Sequence, residues 1–163
     1  MRYYLLDRVK YLKYHKKVVG IKSVTLSEDV FNEHFFGNPI MPGALQMESF
    51  AQAGTVLLEV SYRFTKKALL VMINQAKFRR LVRPGDQMRI ELEVVSAEDP
   101  MVQMNGVITV DDEVVTTARL TFSLQPIDDF YPPPLRHLID AQYQGFLAGA
   151  AIVEDDREES SCG

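Results

Sequence analysis

Between Glu33 and Gln52 the chain reads Glu-His-Phe-Phe-Gly-Asn-Pro-Ile-Met-Pro-Gly-Ala-Leu-Gln-Met-Glu-Ser-Phe-Ala-Gln, and here residue types and spacing could do chemistry. His34 is the best-placed proton acceptor near pH 7. Glu48, fourteen positions later, sits among apolar residues, where a carboxylate must be paired, protonated or working. Taken alone, His34 reads equally as a hydrogen-bonded structural histidine, and Glu48 as a carboxylate paired with a buried arginine or capping a loop.

Gly37, Pro39, Pro42 and Gly43 impose an irregular, extended approach, after which nothing interrupts a helical reading until about Ser61. Pro42 suits the first helical position because it lacks an N–H, and Gly43 leaves its own N–H open to a ligand. Such a helix start can hold an oxygen carrying partial negative charge. From Ala44 to Tyr62 apolar residues occupy nearly every face, so the helix is expected to be buried. Gln52 lies at i+4 from Glu48 and can share its face, either bonding Glu48 or a bound water, or serving structure alone.

Taken with Leu5-Leu-Asp-Arg8, Lys22-Ser-Val-Thr25, His34-Phe-x-Gly-x-Pro-x-Met-Pro-Gly43, Glu48-x-x-Ala-Gln52, Lys77-Phe-Arg79 and Val82-x-Pro-Gly-Asp86, the chain from residue 2 to about 124 resembles the 3-hydroxyacyl-(acyl carrier protein) dehydratases. The resemblance implies an α+β chain with the hot-dog fold, a curved antiparallel sheet wrapped around one long central helix. It implies that His34 and Glu48 are the catalytic pair, that Gly43 is the backbone donor to the thioester carbonyl, and that the pair is completed across an obligate homodimer. Its substrate would ride on the phosphopantetheine arm of acyl carrier protein. Glu rather than Asp at position 48 is closer to the subgroup that only dehydrates than to the one that also isomerises. The chain departs from the family at Phe36, where a proline is usual, which bears on the shape of the site mouth.

At 163 residues, 47% hydrophobic and 25% charged, the chain fits one domain with a sizeable core plus an appendage. A net charge of −4 argues against general nucleic-acid binding. No charged-then-apolar leader and no span of about 18 apolar residues is present in the sequence, so a cytoplasmic protein without a membrane span is expected. The single cysteine, Cys162, and three scattered histidines suggest neither a disulfide nor a metal site, and no prosthetic group is expected.

Along the chain, a short turn at 3–7 leads to a strand at Arg8–Tyr14, a hairpin loop holding a solvated His15, and a return strand at Val18–Thr25. One helical turn capped by Ser27 is expected before His34. Strands are expected at Ala68–Phe78, Gln87–Ser96, Met101–Val110 and Glu113–Leu124, the last two joined at Asp111-Asp112. Tunnel depth, and with it acyl length, depends on how Met47, Phe50, Phe78 and their neighbours pack. Lys77, Arg79, Arg80 and Arg83 form the densest positive cluster, either a solvated strand end or a docking patch for acidic acyl carrier protein. Residues 1–125 thus form the main domain. Residues 126–163 form an appendage: a stiff link at Pro126 and Pro132–Pro134, then a helix whose face carries Leu135, Leu138, Ile139, Phe146 and Leu147, then a disordered tail at Glu154–Ser161. That helix packs on its own dimer or docks a partner.

The leading function is removal of water from a 3-hydroxyacyl thioester. Hydrolysis of an acyl thioester and a non-catalytic acyl-thioester-binding module are the alternatives. Acyl length, pathway, and the choice between a dimer and a trimer of dimers stay open.

Overall fold

The computed structural model describes residues 4–35 and 37–154, apart from the side chains of Glu33, Arg136, Leu138, Asp140 and Gln142. Phe36, Cys162 and the tail after Glu154 lie outside the described residues, and with them the expectations of an altered site mouth and a disordered tail.

Alternating or continuous apolar runs bounded by turn residues form seven strands: β1 Arg8–Lys13, β2 Lys17–Ser23, β3 Lys66–Phe78, β4 Gln87–Glu98, β5 Met101–Val110, β6 Glu113–Pro126 and β7 Ala151–Val153. They make one sheet in the order β3-β6-β5-β4-β2-β1-β7. All pairings are antiparallel except β1 with β7. Asp111 and Asp112, both at positive φ, make the two-residue β5–β6 turn. The helix α2, Gly43–Ser61, spans 19 residues, about 28 Å at 1.5 Å per residue, and the sheet wraps it. This is the hot-dog arrangement.

The expected burial of the long helix is realised by Phe50, Ala53, Leu57 and Leu58, packed against Leu92, Met104, Leu120 and Phe122 of the sheet. The ring of Phe122 lies so close to Gly54 that a Cβ there would meet it at 2.4 Å. Glycine in mid-helix costs about 1 kcal/mol of propensity, and here it admits a large ring to the core.

The expected turn before His34 begins later than Ser27. α1 is Val30–Glu33, preceded by Asp29, and Ser27 Oγ instead shares a hydrogen bond with Thr25 Oγ1. Asp7 and Lys22 explain two of the sequence anchors. Asp7 Oδ2 accepts the Ser23 N–H at 2.7 Å, and the largely buried Lys22 ammonium lies 3.4 Å from Asp7 and 3.1 Å from Glu28.

After β6 the chain does not run as a stiff extended link. Ile127 is buried and its N–H bonds Thr65 O at 3.1 Å, so the prolines enter short 3-10 turns at Ile127–Asp129 and Pro133–Leu135. Helix α3, Arg136–Leu147, packs on β1 of its own chain. Ile139 lies in the core and Phe146 and Leu147 against it, as the face predicts, whereas Leu135 precedes the helix and is exposed. Tyr143, which the sequence pattern did not single out, is buried. Strand β7 was not foreseen either, because three residues carry no period.

Tyr143 and Glu59 hold this appendage. Glu59, on α2, is 1% exposed; its carboxylate accepts from the Tyr143 hydroxyl, from Lys67 Nζ at 2.7 Å and from the Ala68 N–H at 3.3 Å. Burial first, and then the Glu59 charge, push the Tyr143 phenol far above the usual tyrosine range. A raised folded-state pKa gives stability that is complete below the unfolded value, near 10, and lost as pH rises beyond it. Tyr14, raised chiefly by burial, acts in the same direction. Stability of the wild type is therefore expected to fall above about pH 10, and Tyr143→Phe to flatten that fall. At neutral pH the substitution leaves a buried acceptor short of a partner, costing about 1–3 kcal/mol in chemical denaturation.

Candidate active site

The segment from His34 to Gly43 is a loop tied at several points. Asn38 N–H bonds Phe35 O at 2.8 Å, Met41 N–H bonds Val82 O at 2.8 Å, and Phe35 holds positive φ. Non-glycine residues in that region are uncommon and concentrate at functional sites. The His34 imidazole is exposed and stands edge-on to Phe35, ring centroids 4.2 Å apart, while its backbone N–H closes on Val30 O at 3.0 Å.

The loop delivers the chain to α2. Pro42 is the residue before the helix rather than its first, and Gly43 takes the first position. An N–H there has no carbonyl one turn earlier to bond, so the Gly43 N–H is the kind of donor a carbonyl oxygen can use. The ring of Phe78, at the end of β3, packs on Gly43 so closely that a Cβ would stand 2.7 Å from it. Glycine here therefore lets an aromatic wall approach the donor. Buried Gln46 braces the same turn, donating to Met41 O at 3.3 Å and accepting from Thr116 at 2.5 Å.

Glu48, expected among buried apolar groups, is exposed in the single chain. It lies on the stripe of α2 that also carries Ala44 and Gln52, and the sheet does not cover it. The carboxylate that is buried in the helix is Glu59, which sequence reasoning passed over; its signal was a lone charge in the run Val56 to Val60. Gln52 does bond Glu48: its Nε2 donates to Glu48 Oε1 at 3.0 Å, while its Oε1 accepts the Leu5 N–H at 2.9 Å. The amide thus fixes one carboxylate oxygen and is itself fixed by the segment entering β1. Glu48 Oε2 has no partner among the described residues. Nor does a hydrogen bond or ion pair join His34 to Glu48 there.

Of the four cations in the basic cluster, Lys77 and Arg79 are exposed. Arg80 turns its Nε toward Glu113 at 3.4 Å, and Nε and Nη2 are buried without a hydrogen bond. Arg83 Nη1 donates to Asn38 Oδ1 at 2.7 Å and to Pro39 O at 3.4 Å, and its backbone N–H bonds Asp86 Oδ2 at 2.9 Å. Arg83 therefore clamps the loop that carries His34. Among the described residues no three His, Cys, Asp or Glu converge as metal ligands, and no helix is long and apolar enough to cross a membrane.

Residues 2–119 match a family model described as a FabA-like domain. A 3-hydroxyacyl-(acyl-carrier-protein) dehydratase FabZ of Bacillus pumilus is 43% identical over 123 residues, which cover 75% of this chain and 85% of that protein. One of Symbiobacterium thermophilum is 41% identical over 133 residues, covering 81% of this chain and 92% of that protein. A solved structure from Streptococcus mutans, bound to acetyl CoA, has a TM-score of 0.62 at 13% identity and covers 77% of this chain and 94% of that chain, a likeness of fold alone. The loop and helix that carry His34, Gly43, Glu48 and Gln52 lie inside the matched region, and the chain belongs to the FabA-like family, among its 3-hydroxyacyl-(acyl-carrier-protein) dehydratases.

Proposed function

We propose that this chain removes water from 3-hydroxyacyl thioesters carried on acyl carrier protein, giving trans-2-enoyl thioesters in fatty-acid or related lipid synthesis. One observation carries the reading: a continuous loop-to-helix segment presents an imidazole, an open helix-start N–H and a carboxylate fixed at one oxygen by Gln52. The thioester oxygen accepts the Gly43 N–H, which raises the acidity of the α-carbon. His34, as neutral imidazole, takes the α-proton, and Glu48, in its acid form, gives a proton to the leaving hydroxyl, so that water departs and the double bond forms. No metal and no prosthetic group enters these steps. Nothing in the geometry favours thioester hydrolysis or a purely binding role. Residues 1–125 form the catalytic unit and 126–163 an appendage to it.

The site is shared between two copies of the chain in a homodimer. Support comes from β3, a 13-residue edge strand on which Val71, Met72, Ile73 and Phe78 are each about half exposed. An unpaired apolar edge of that length is expected to be covered by another strand. Association along β3 brings a second chain to Phe78, and hence to the Gly43 helix start.

A positioned acid or base contributes about 10²–10⁴ in rate, so His34→Ala and Glu48→Gln should each lower turnover of a short 3-hydroxyacyl thioester at least ~10²-fold with the circular-dichroism spectrum intact. Wild-type turnover in either would exclude that residue. Mixing the two inactive variants and exchanging their subunits should restore activity, because a mixed dimer rebuilds one site from the intact His34 of one copy and the intact Glu48 of the other. Failure to regain turnover despite confirmed exchange contradicts the shared site.

Lys77 and Arg79 are the open cations of the docking patch, with Arg80 and Arg83 contributing charge from behind. Lys77→Glu with Arg79→Glu should raise KM for a carrier-borne substrate at least ~10-fold more than KM for the same acyl group on pantetheine, since like charges across an interface are costly. Equal effects on both substrates would place docking elsewhere.

A further inference from the structure

The hydrogen bonding that orients Glu48 does not end at Gln52. A glutamine amide carries its donors and its acceptor at opposite corners of one plane, and a backbone N–H can only donate. The Leu5 N–H, at 2.9 Å, therefore takes the oxygen corner and turns the Nε2 corner toward Glu48 Oε1, at 3.0 Å. With the amide so held, Glu48 Oε1 is an acceptor, and in the acid form the proton sits on Oε2, which has no partner among the described residues. Turned over, the amide would offer its own oxygen to that acid and draw the proton away from a leaving hydroxyl. The Leu5 N–H thus decides which oxygen of Glu48 is the acid.

What aims this N–H comes partly from outside the family-matched residues 2–119. The Leu5 side chain is buried in the core, but its N–H belongs to the planar peptide unit joining Tyr4 to Leu5, so the placement of Tyr4 sets its direction. From Asp7 onward the segment is fixed by β2, through the Asp7 N–H to Ile21 O at 2.8 Å. Ahead of that point Tyr4 rests edge-on against Phe146 of α3, ring centroids 5.8 Å apart, and Phe146 meets Tyr143 at 6.5 Å. Tyr143, itself buried, donates to the buried Glu59, back on α2. Gln52, the Tyr4–Leu5 unit, α3 and Glu59 therefore form a bracket that begins and ends on one helix, its two feet about two turns apart.

We propose, on the dehydratase reading above, that α3 positions the acid: through Phe146 and Tyr4 it aims the Leu5 N–H at Gln52 and so keeps the proton of Glu48 on Oε2. Phe146 and Tyr4 are positioning residues, acting on Glu48 only through Gln52. The appendage thereby serves the chemical step.

The test measures kcat and KM on 3-hydroxybutyryl pantetheine in wild type, Phe146→Ala, Tyr4→Ala, Gln52→Ala and the double variant Phe146→Ala with Gln52→Ala, and follows amide hydrogen exchange at Leu5 by NMR. Misplacing a reacting group by about 1 Å can cost ~10²-fold, so kcat should fall at least ~10-fold in Phe146→Ala and in Tyr4→Ala with KM unmoved. Leu5 exchange should quicken at least ~10-fold in both, with exchange in β5 unchanged. Phe146→Tyr, which keeps the ring, and Gln144→Ala, on the exposed side of α3, should match the wild type. In the Gln52→Ala background the loss caused by Phe146→Ala should vanish, because both act through one amide. A loss of the same size with and without Gln52 overturns the relay, since a general loosening of the fold would give that result. An unmoved kcat in both single variants, with the wild type active, overturns it too and leaves the dehydratase reading standing. Two variants on different elements guard against one of them simply failing to fold. Absence of turnover in the wild type instead defeats the dehydratase reading, and exchange then decides the link from α3 to Leu5: a selective quickening sustains it, and an unchanged rate overturns it.

Discussion

A helix that is apolar on nearly every face is stable only if something wraps it, and this requirement organises the molecule. The sheet curls around α2 so that Phe50, Leu57 and Leu58 lose almost all contact with water. Fitting such a helix under a sheet needs close approaches, and Gly54 under Phe122 and Gly43 under Phe78 provide them. The first serves the core. The second sits at the helix start, where the open N–H and the aromatic wall meet.

The same helix carries two carboxylates with opposite fates. Glu59 is enclosed, and its cost is offset by three donors: a phenol, an ammonium and a backbone N–H. Glu48, three turns earlier, is exposed, with one oxygen held by Gln52 and no partner for the other among the described residues. Gln52 is the hinge of this arrangement, since its bond to Leu5 ties the orientation of Glu48 to the segment entering β1.

The two ends of the sheet are likewise unlike. At one end β3 presents a long apolar edge, suited to another strand. At the other, three residues of β7 cover part of β1, and Tyr14 N–H extends the contact to Val153 O at 2.9 Å. The appendage thus folds back through Ile127, Tyr143 and β7 together. Arg83 shows a parallel economy near the site, where a residue of the basic cluster spends its guanidinium on the loop that carries His34.

By itself the sequence determined the long buried helix, the loop feeding it and the order of the main strands, and it singled out His34, Gly43, Glu48 and Gln52 as candidates. Local signals suffice for these: period, proline and glycine placement, and motif spacing act within a few residues of one another. Strand β3 begins two residues before its expected start, and β4 and β6 each extend two residues past theirs, because ends are set by partners rather than propensity. Only the tertiary structure decided which helix carboxylate is buried, that Pro126 leads into a turn rather than a strut, that Tyr143 anchors the appendage, and that Arg83 is a clamp. Each of these depends on contacts between residues tens of positions apart, such as Glu59 with Tyr143 or Asn38 with Arg83, and no periodicity along the chain encodes such a meeting.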